Sequence, residues 1–127
     1  MPEPRDVVSD WHRHLNTRDL DALAALIAPK VEMAGPRGRG TGSPTDIRDW
    51  VERSGIRLAP CRIWGRGDAV VVEQDARWSD PKTGDLMDRQ TAFTAFQVAD
   101  GHITRLLRFD TLAPALAVSG LTERDLI

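Results

Sequence analysis

The sequence predicts an α+β fold, with three N-terminal helices laid against one side of a strongly curved, mostly antiparallel sheet so that the two enclose a conical cavity. Three observations predict it. Helical patterns fill the front of the chain, and an unbroken series of strand patterns follows residue 56. The stretch RQTAFTAFQVADGHITRLLRFD (89–110) turns at Asp100-Gly101, the strongest short-range hairpin signal a sequence offers. Its arms are apolar on both faces, Phe93, Ala95, Leu107 and Phe109 on one and Ala92, Phe96, Val98 and Leu106 on the other. A hairpin of that kind must be covered on both sides, which puts it at the centre of a sheet.

Each element has its own warrant. Pro4 suits a first helical turn, and Val7, Val8, Trp11 and Leu15 recur at helical spacing, so a helix runs over about 4–16. Asp19 caps a second helix with Leu20, Leu23, Ala24 and Ile27 as its stripe, and Pro29 stops it. Val31-Glu32-Met33 alternates as a short strand. Residues 34–42, AGPRGRGTG, read either as an anion cradle or as a mobile loop over a pocket mouth. They fail the phosphate-loop pattern, because no Gly-Lys-Ser/Thr follows. Ser43 caps a third helix with Pro44 in its first turn and Asp46 at the capping-box position. Ile47, Trp50 and Val51 face inward, and Gly55 ends it. Strands follow over Ile56–Ile63, interrupted by Pro60, and over Ala69–Trp78. The latter shows Val70, Val72, Gln74, Ala76 and Trp78 on one face and Val71, Glu73, Asp75 and Arg77 on the other. Asp80 to Gly84 makes a wide turn, and Leu112 to Val118 a short last helix. Residues 119–127 either fold over an opening or reach a partner subunit.

With 127 residues the chain holds one domain, residues 1–127, with no linker or repeat. A net charge of −2 argues against nucleic-acid binding, and no run of about 18 apolar residues exists to span a membrane. The first residues lack a signal-peptide pattern. Cys61 stands alone, so no internal disulfide forms and a cytoplasmic location fits. The three histidines are not grouped as metal ligands: His12 and His14 point to different sides of a helix, and His102 sits in the hairpin turn.

The polar residues of the hairpin carry the functional reading. Arg108 and Asp110 are two apart and share a face. A plain two-residue loop sets Phe93 opposite Arg108. A bulge at Gly101 slips the register by one and sets Thr94 there, gathering Phe96, Leu106, Thr94, Arg108 and Asp110 on one face. The second arrangement is an apolar wall with a polar patch at one end, the composition of a small-molecule pocket.

At LNTRDLDALAALIAPKVEM (15–33), the Gly-rich stretch leading into the third helix, and ADGHITRLLRFDTLAPALAVSGL (99–121), the chain resembles the nuclear transport factor 2-like superfamily. Within it the chain is most similar to the SnoaL-like polyketide cyclase and ketosteroid isomerase group. The resemblance implies a cone-shaped barrel with an internal cavity, usually no cofactor, and homodimers packed through the outer face of the sheet. It also locates the family's catalytic positions. The steroid isomerases' Asp base falls at Met33, their Tyr donor at Trp11 and their second Asp at about Thr94, so none of the three roles is preserved. An epoxide-hydrolase Asp falls at Arg108 and its Arg partner near Glu73. The Asp base of SnoaL-like cyclases lies close to Asp110.

Two functions follow. The first is a cofactor-independent enzyme working by proton transfer on a small, largely apolar carbonyl compound. Asp110 is then the base, under the opposed influences of an apolar cone and a neighbouring guanidinium. Arg108 stabilises the oxyanion, and Thr94, Gln74, Gln90, Trp11, Met33, Trp50, Phe96 and Leu106 hold the substrate. The second is a binding or accessory domain without chemistry. In that case Asp110 caps the helix after it, Arg108 pairs with Asp110 or Glu73, and the aromatic residues are plain core.

Overall fold

The computed structural model describes residues 2–35, 38–80 and 82–127. Pro4 opens α1 (Pro4–Thr17), whose buried stripe is Val7, Val8, Trp11, His12 and Leu15. Arg18 turns the chain in the left-handed region, φ 61°, and Asp19 caps α2 (Leu20–Ala25) by accepting from the Ala22 amide. This second helix ends before Pro29 because the sheet claims the next residues. The Ile103 amide donates to the Leu26 carbonyl at 2.8 Å, and Ile27 already pairs with Ile103. Strand β1 (Ile27–Gly35) is therefore longer than Val31–Met33, and its register breaks between Ile27 and Glu32, where Pro29 supplies no N–H.

The Gly-rich stretch is not a loop over most of its length. Strand β2 (Gly38–Gly42) lies antiparallel to β1, with Glu32 opposite Thr41 and Met33 opposite Gly40. Pro36 and Arg37, in the middle of the expected loop, fall outside the described residues. Helix α3 (Pro44–Ser54) has the complete capping box. Ser43 Oγ accepts from the Asp46 amide, the Asp46 carboxylate accepts from the Ser43 amide, and Gly55 ends the helix at φ 65°.

Strands β3 (Ile56–Arg66), β4 (Ala69–Ser79), β5 (Leu86–Ala99) and β6 (His102–Phe109) complete a six-stranded sheet of order β2-β1-β6-β5-β4-β3. The β5–β6 hairpin is central, as its two apolar faces require. All neighbours are antiparallel except β1 and β6. The mostly antiparallel sheet expected of a cone-shaped barrel is present, and it does not close on itself: β2 and β3 are its edges. Its inner face packs on α1, α2 and α3 through Val70, Val72, Ala92, Phe96, Val98 and Leu106. Its outer face carries Trp64, Val71, Phe93, Ala95 and Leu107 under α4 (Leu112–Ser119) and Leu121. The tail stays on its own sheet: Leu126 bridges to Trp64, and the Ile127 amide donates to the Ile63 carbonyl at 2.8 Å. No helix among the described residues is long and apolar enough to cross a membrane.

The register across the central hairpin is the slipped one, with Thr94 opposite Arg108 and Phe96 opposite Leu106. The slip arises elsewhere than expected. Asp100 and Gly101 make a tight two-residue turn, both at positive φ (53° and 77°). The extra residue is Thr104, left between Ile103 (opposite Val98) and Arg105 (opposite Gln97).

Candidate functional site

A line of three polar side chains crosses the apolar layer between α1 and the sheet. His12 stands one turn after Val8 on the buried stripe of α1, Gln74 interrupts the inward face of β4, and Thr94 interrupts that of β5. All three are buried, with Gln74 only 1% and Thr94 4% exposed. Their hydrogen bonds run in one direction. His12 Nδ1 lies 2.7 Å from the Val8 carbonyl, which can only accept, so Nδ1 carries the proton. His12 Nε2 is then the acceptor for the Gln74 side-chain N–H at 2.8 Å. Gln74 Oε1 accepts from the Thr94 hydroxyl at 2.7 Å. Burial pushes the His12 imidazole down to about 4, against a smaller upward pull from its bond to the Val8 carbonyl, so it is neutral at pH 7.

Aromatic rings close over this line. Trp11 meets Phe96 edge-on at 5.2 Å and His12 at 5.0 Å, with both rings buried. Trp11 Nε1 is a buried donor with no acceptor among the described residues. Met33, Trp50 and Trp78 pack on the same core and remain half-buried.

Arg108 lies on the inner face beside Thr94, half-buried, with its guanidinium 5.1 Å from the centre of the Trp78 ring. Thr94 is level with Val72 on β4, six residues from Trp78, a run of about 20 Å along a flat strand. The long side chains of Arg108 and Trp78 meet across that span, so their contact ties β6 to the far end of β4 on the inner face. Arg108 pairs with neither Asp110 nor Glu73. Glu73 lies on the outer face, held by Arg62 at 2.9 and 3.1 Å.

Asp110 lies one residue past the end of β6 and is exposed, so the apolar surroundings expected around its carboxylate are not there. It is not the helix cap either: the residue before α4 is Thr111, whose side chain makes no capping bond. Gln90 is exposed, away from the buried line. Trp11, Phe96 and Leu106 form the apolar floor, with Gln74 and Thr94 set among them.

Two surface hollows lie elsewhere. One of about 490 Å³ is lined by Cys61, Glu73, Asp75, Arg89, Gln90 and Thr91, and its ionic groups are already paired, Asp75 with both Arg77 and Arg89 at 3.0 Å. The other, about 220 Å³, lies between the start of α1 and the β3–β4 turn. Among the described residues no group of three or more His, Cys, Asp or Glu is placed to hold a metal ion.

His12 is the member that sequence reasoning missed. Its signal was present: it falls four residues after Val8, on the stripe that also holds Trp11 and Leu15.

Residues 8–106 match the SnoaL-like domain. The chain belongs to the SnoaL-like domain family. A nuclear transport factor 2-like protein of unknown function from Cytophaga hutchinsonii superposes on it with a TM-score of 0.74 at 18% identity, over 90% of this chain and 95% of that one. A protein from Sinorhizobium meliloti proposed to be a polyketide cyclase gives 0.68 at 21%, over 86% and 95%. TerC, crystallised with polyporic acid, gives 0.69 at 20%, over 91% and 96%. These likenesses show that this SnoaL-like domain has the nuclear transport factor 2-like fold. Among curated proteins no sequence matches it.

Proposed function

We propose that this SnoaL-like domain binds a small molecule on the inner face of its sheet beside Trp78, with Arg108 as the anchor for an anionic or carbonyl oxygen. The observation that carries this is the unpaired guanidinium. The other half-buried arginines each have a protein acceptor: Arg18 the Leu15 carbonyl, Arg48 Asp21 and Arg105 Glu32. Arg108 has none among the described residues. Drawing a guanidinium partly out of water without an acceptor is costly, and a ligand oxygen removes that cost. The planar fork suits a carboxylate or enolate, and Trp78 offers a flat face beside it. Leu106, Met33 and Trp50 make the rest of the ligand largely apolar. The co-crystal of TerC with an acid supports the same ligand class.

Binding is favoured over proton transfer because Asp110 is exposed and His12, neutral and fully bonded, is a poor base. The cyclase- or isomerase-type reading, with Asp110 as base and Arg108 as oxyanion stabiliser, keeps only the position of Arg108 in its favour. A homodimer through the outer face would use the strand ends that α4 leaves uncovered. A cytoplasmic location agrees with the lone Cys61. The test is a thermal-shift screen of planar carboxylates and phenols on wild type, Arg108→Met and Asp110→Asn. Ligands that stabilise wild type and Asp110→Asn but not Arg108→Met support the anchor. Equal stabilisation of Arg108→Met overturns it, and turnover lost in Asp110→Asn with binding kept restores the enzymatic reading.

A further inference from the structure

The buried polar line does more than satisfy itself, because its direction is forced. The Val8 carbonyl fixes the proton on His12 Nδ1. The bare Nε2 fixes which end of the Gln74 amide faces it, and the Gln74 oxygen then takes the Thr94 hydroxyl proton. Thr94 has therefore spent its only donor. What its oxygen still offers is acceptance. A threonine free to rotate would accept or donate as a ligand required; this one cannot.

Thr94 and Arg108 are direct partners across β5 and β6, with side-chain roots about 5 Å apart on the same face. A ligand hydroxyl is the small group that can give its proton to the Thr94 oxygen.

We propose that the His12–Gln74–Thr94 line sets the hydrogen-bond polarity of the site, so that it selects ligands carrying a hydroxyl next to their anionic oxygen, with the hydroxyl donating to Thr94 and the anion held by Arg108. The ligand class is the aryl or alkyl 2-hydroxy acid or its enolic equivalent. This rests on the anchor reading above and adds the specificity residue. Thr94 is the group that touches the ligand. His12 and Gln74 act through it as positioning residues.

The experiment is isothermal titration calorimetry of the whole chain with mandelate, phenylacetate and O-methylmandelate, which differ only at the hydroxyl. Wild type is expected to bind mandelate about fivefold tighter than phenylacetate, the worth of one net hydrogen bond, and to bind O-methylmandelate no better than phenylacetate. Thr94→Val is expected to erase the preference, so that mandelate and phenylacetate bind it equally, and Thr94→Ser to keep it. Arg108→Met loses all three ligands. Equal binding of mandelate and phenylacetate by wild type, or a preference that survives in Thr94→Val, overturns the selection by Thr94 and leaves the anchor standing. Failure of all three to bind wild type at millimolar concentration overturns both. Should Thr94→Val not fold, O-methylmandelate binding as tightly as mandelate to wild type and Thr94→Ser still overturns the inference.

Discussion

His12 makes the stability of this domain depend on pH already above the range where Glu73 and Asp75 act. Its imidazole titrates near 6.5 in the unfolded chain and at about 4 in the fold, because burial disfavours the charged ring. Between those values the unfolded chain holds more protons than the folded one, so stability falls as the pH falls. The contribution is whole above pH 6.5 and gone at about pH 4. The gap corresponds to about 3 kcal/mol, roughly half of it lost between pH 6.5 and 5. Glu73 and Asp75 are shifted down too, chiefly by their hydrogen bonds to Arg62 and Arg89, so their stabilising effect is whole above the ordinary carboxylate range and is lost as the pH falls through that range and below it. The assay is the urea midpoint at constant slope from pH 5 to 7, for wild type and His12→Gln. Wild type is expected to lose about 1.5 kcal/mol across that window while the variant stays nearly flat. Parallel curves for the two proteins would refute the reasoning, because they would mean that the ring is not buried in its neutral form.

Three further outcomes follow from single contacts. Ser43→Ala removes the α3 capping box and is expected to cost about 1 kcal/mol in chemical denaturation. Asn16→Ala removes both bonds to the Leu58 backbone, at 2.8 and 2.9 Å, and is expected to cost about 1–3 kcal/mol and to speed amide exchange at Leu58. Gly42→Ala sets a Cβ 2.5 Å from Met33 Sδ, so the thioether must swing aside. The expected result is a moved Met33 methyl signal in NMR with a stability change below about 1 kcal/mol.

What the sequence made legible was local pattern. The two faces of the 89–110 hairpin separate into the two cores as the alternation demanded, and Ser43, Pro44, Asp46 and Gly55 bound α3 where their chemistry placed them. What was not legible came from pairing at a distance. Glycine weakens a strand, so Gly38–Gly42 gave no strand signal, yet β1 supplies its hydrogen bonds. The second helix was cut short by Ile103, a residue some 75 positions away that no local pattern near Leu26 announces. The hairpin register was anticipated, but the extra residue sits at Thr104, where no glycine marks it.

The site follows the same division, with one instructive exception. Arg108 and Thr94 were placed together by register alone, and Asp110 was misjudged because face alternation says nothing once the strand has ended at Phe109. His12, Gln74 and Thr94 each interrupt an apolar face, on α1, β4 and β5. One such interruption decides nothing, since a single polar residue on a buried stripe has many local ways to be satisfied. Three interruptions on faces that must meet are a stronger constraint, because each buried polar group needs a partner and the others are the nearest candidates. His12 and Gln74 are 62 residues apart, yet the helix stripe and the strand alternation together already place both in the layer where they bond. In such a fold the polar exceptions on separate apolar faces constrain one another more tightly than any single charged residue at a strand end constrains the site.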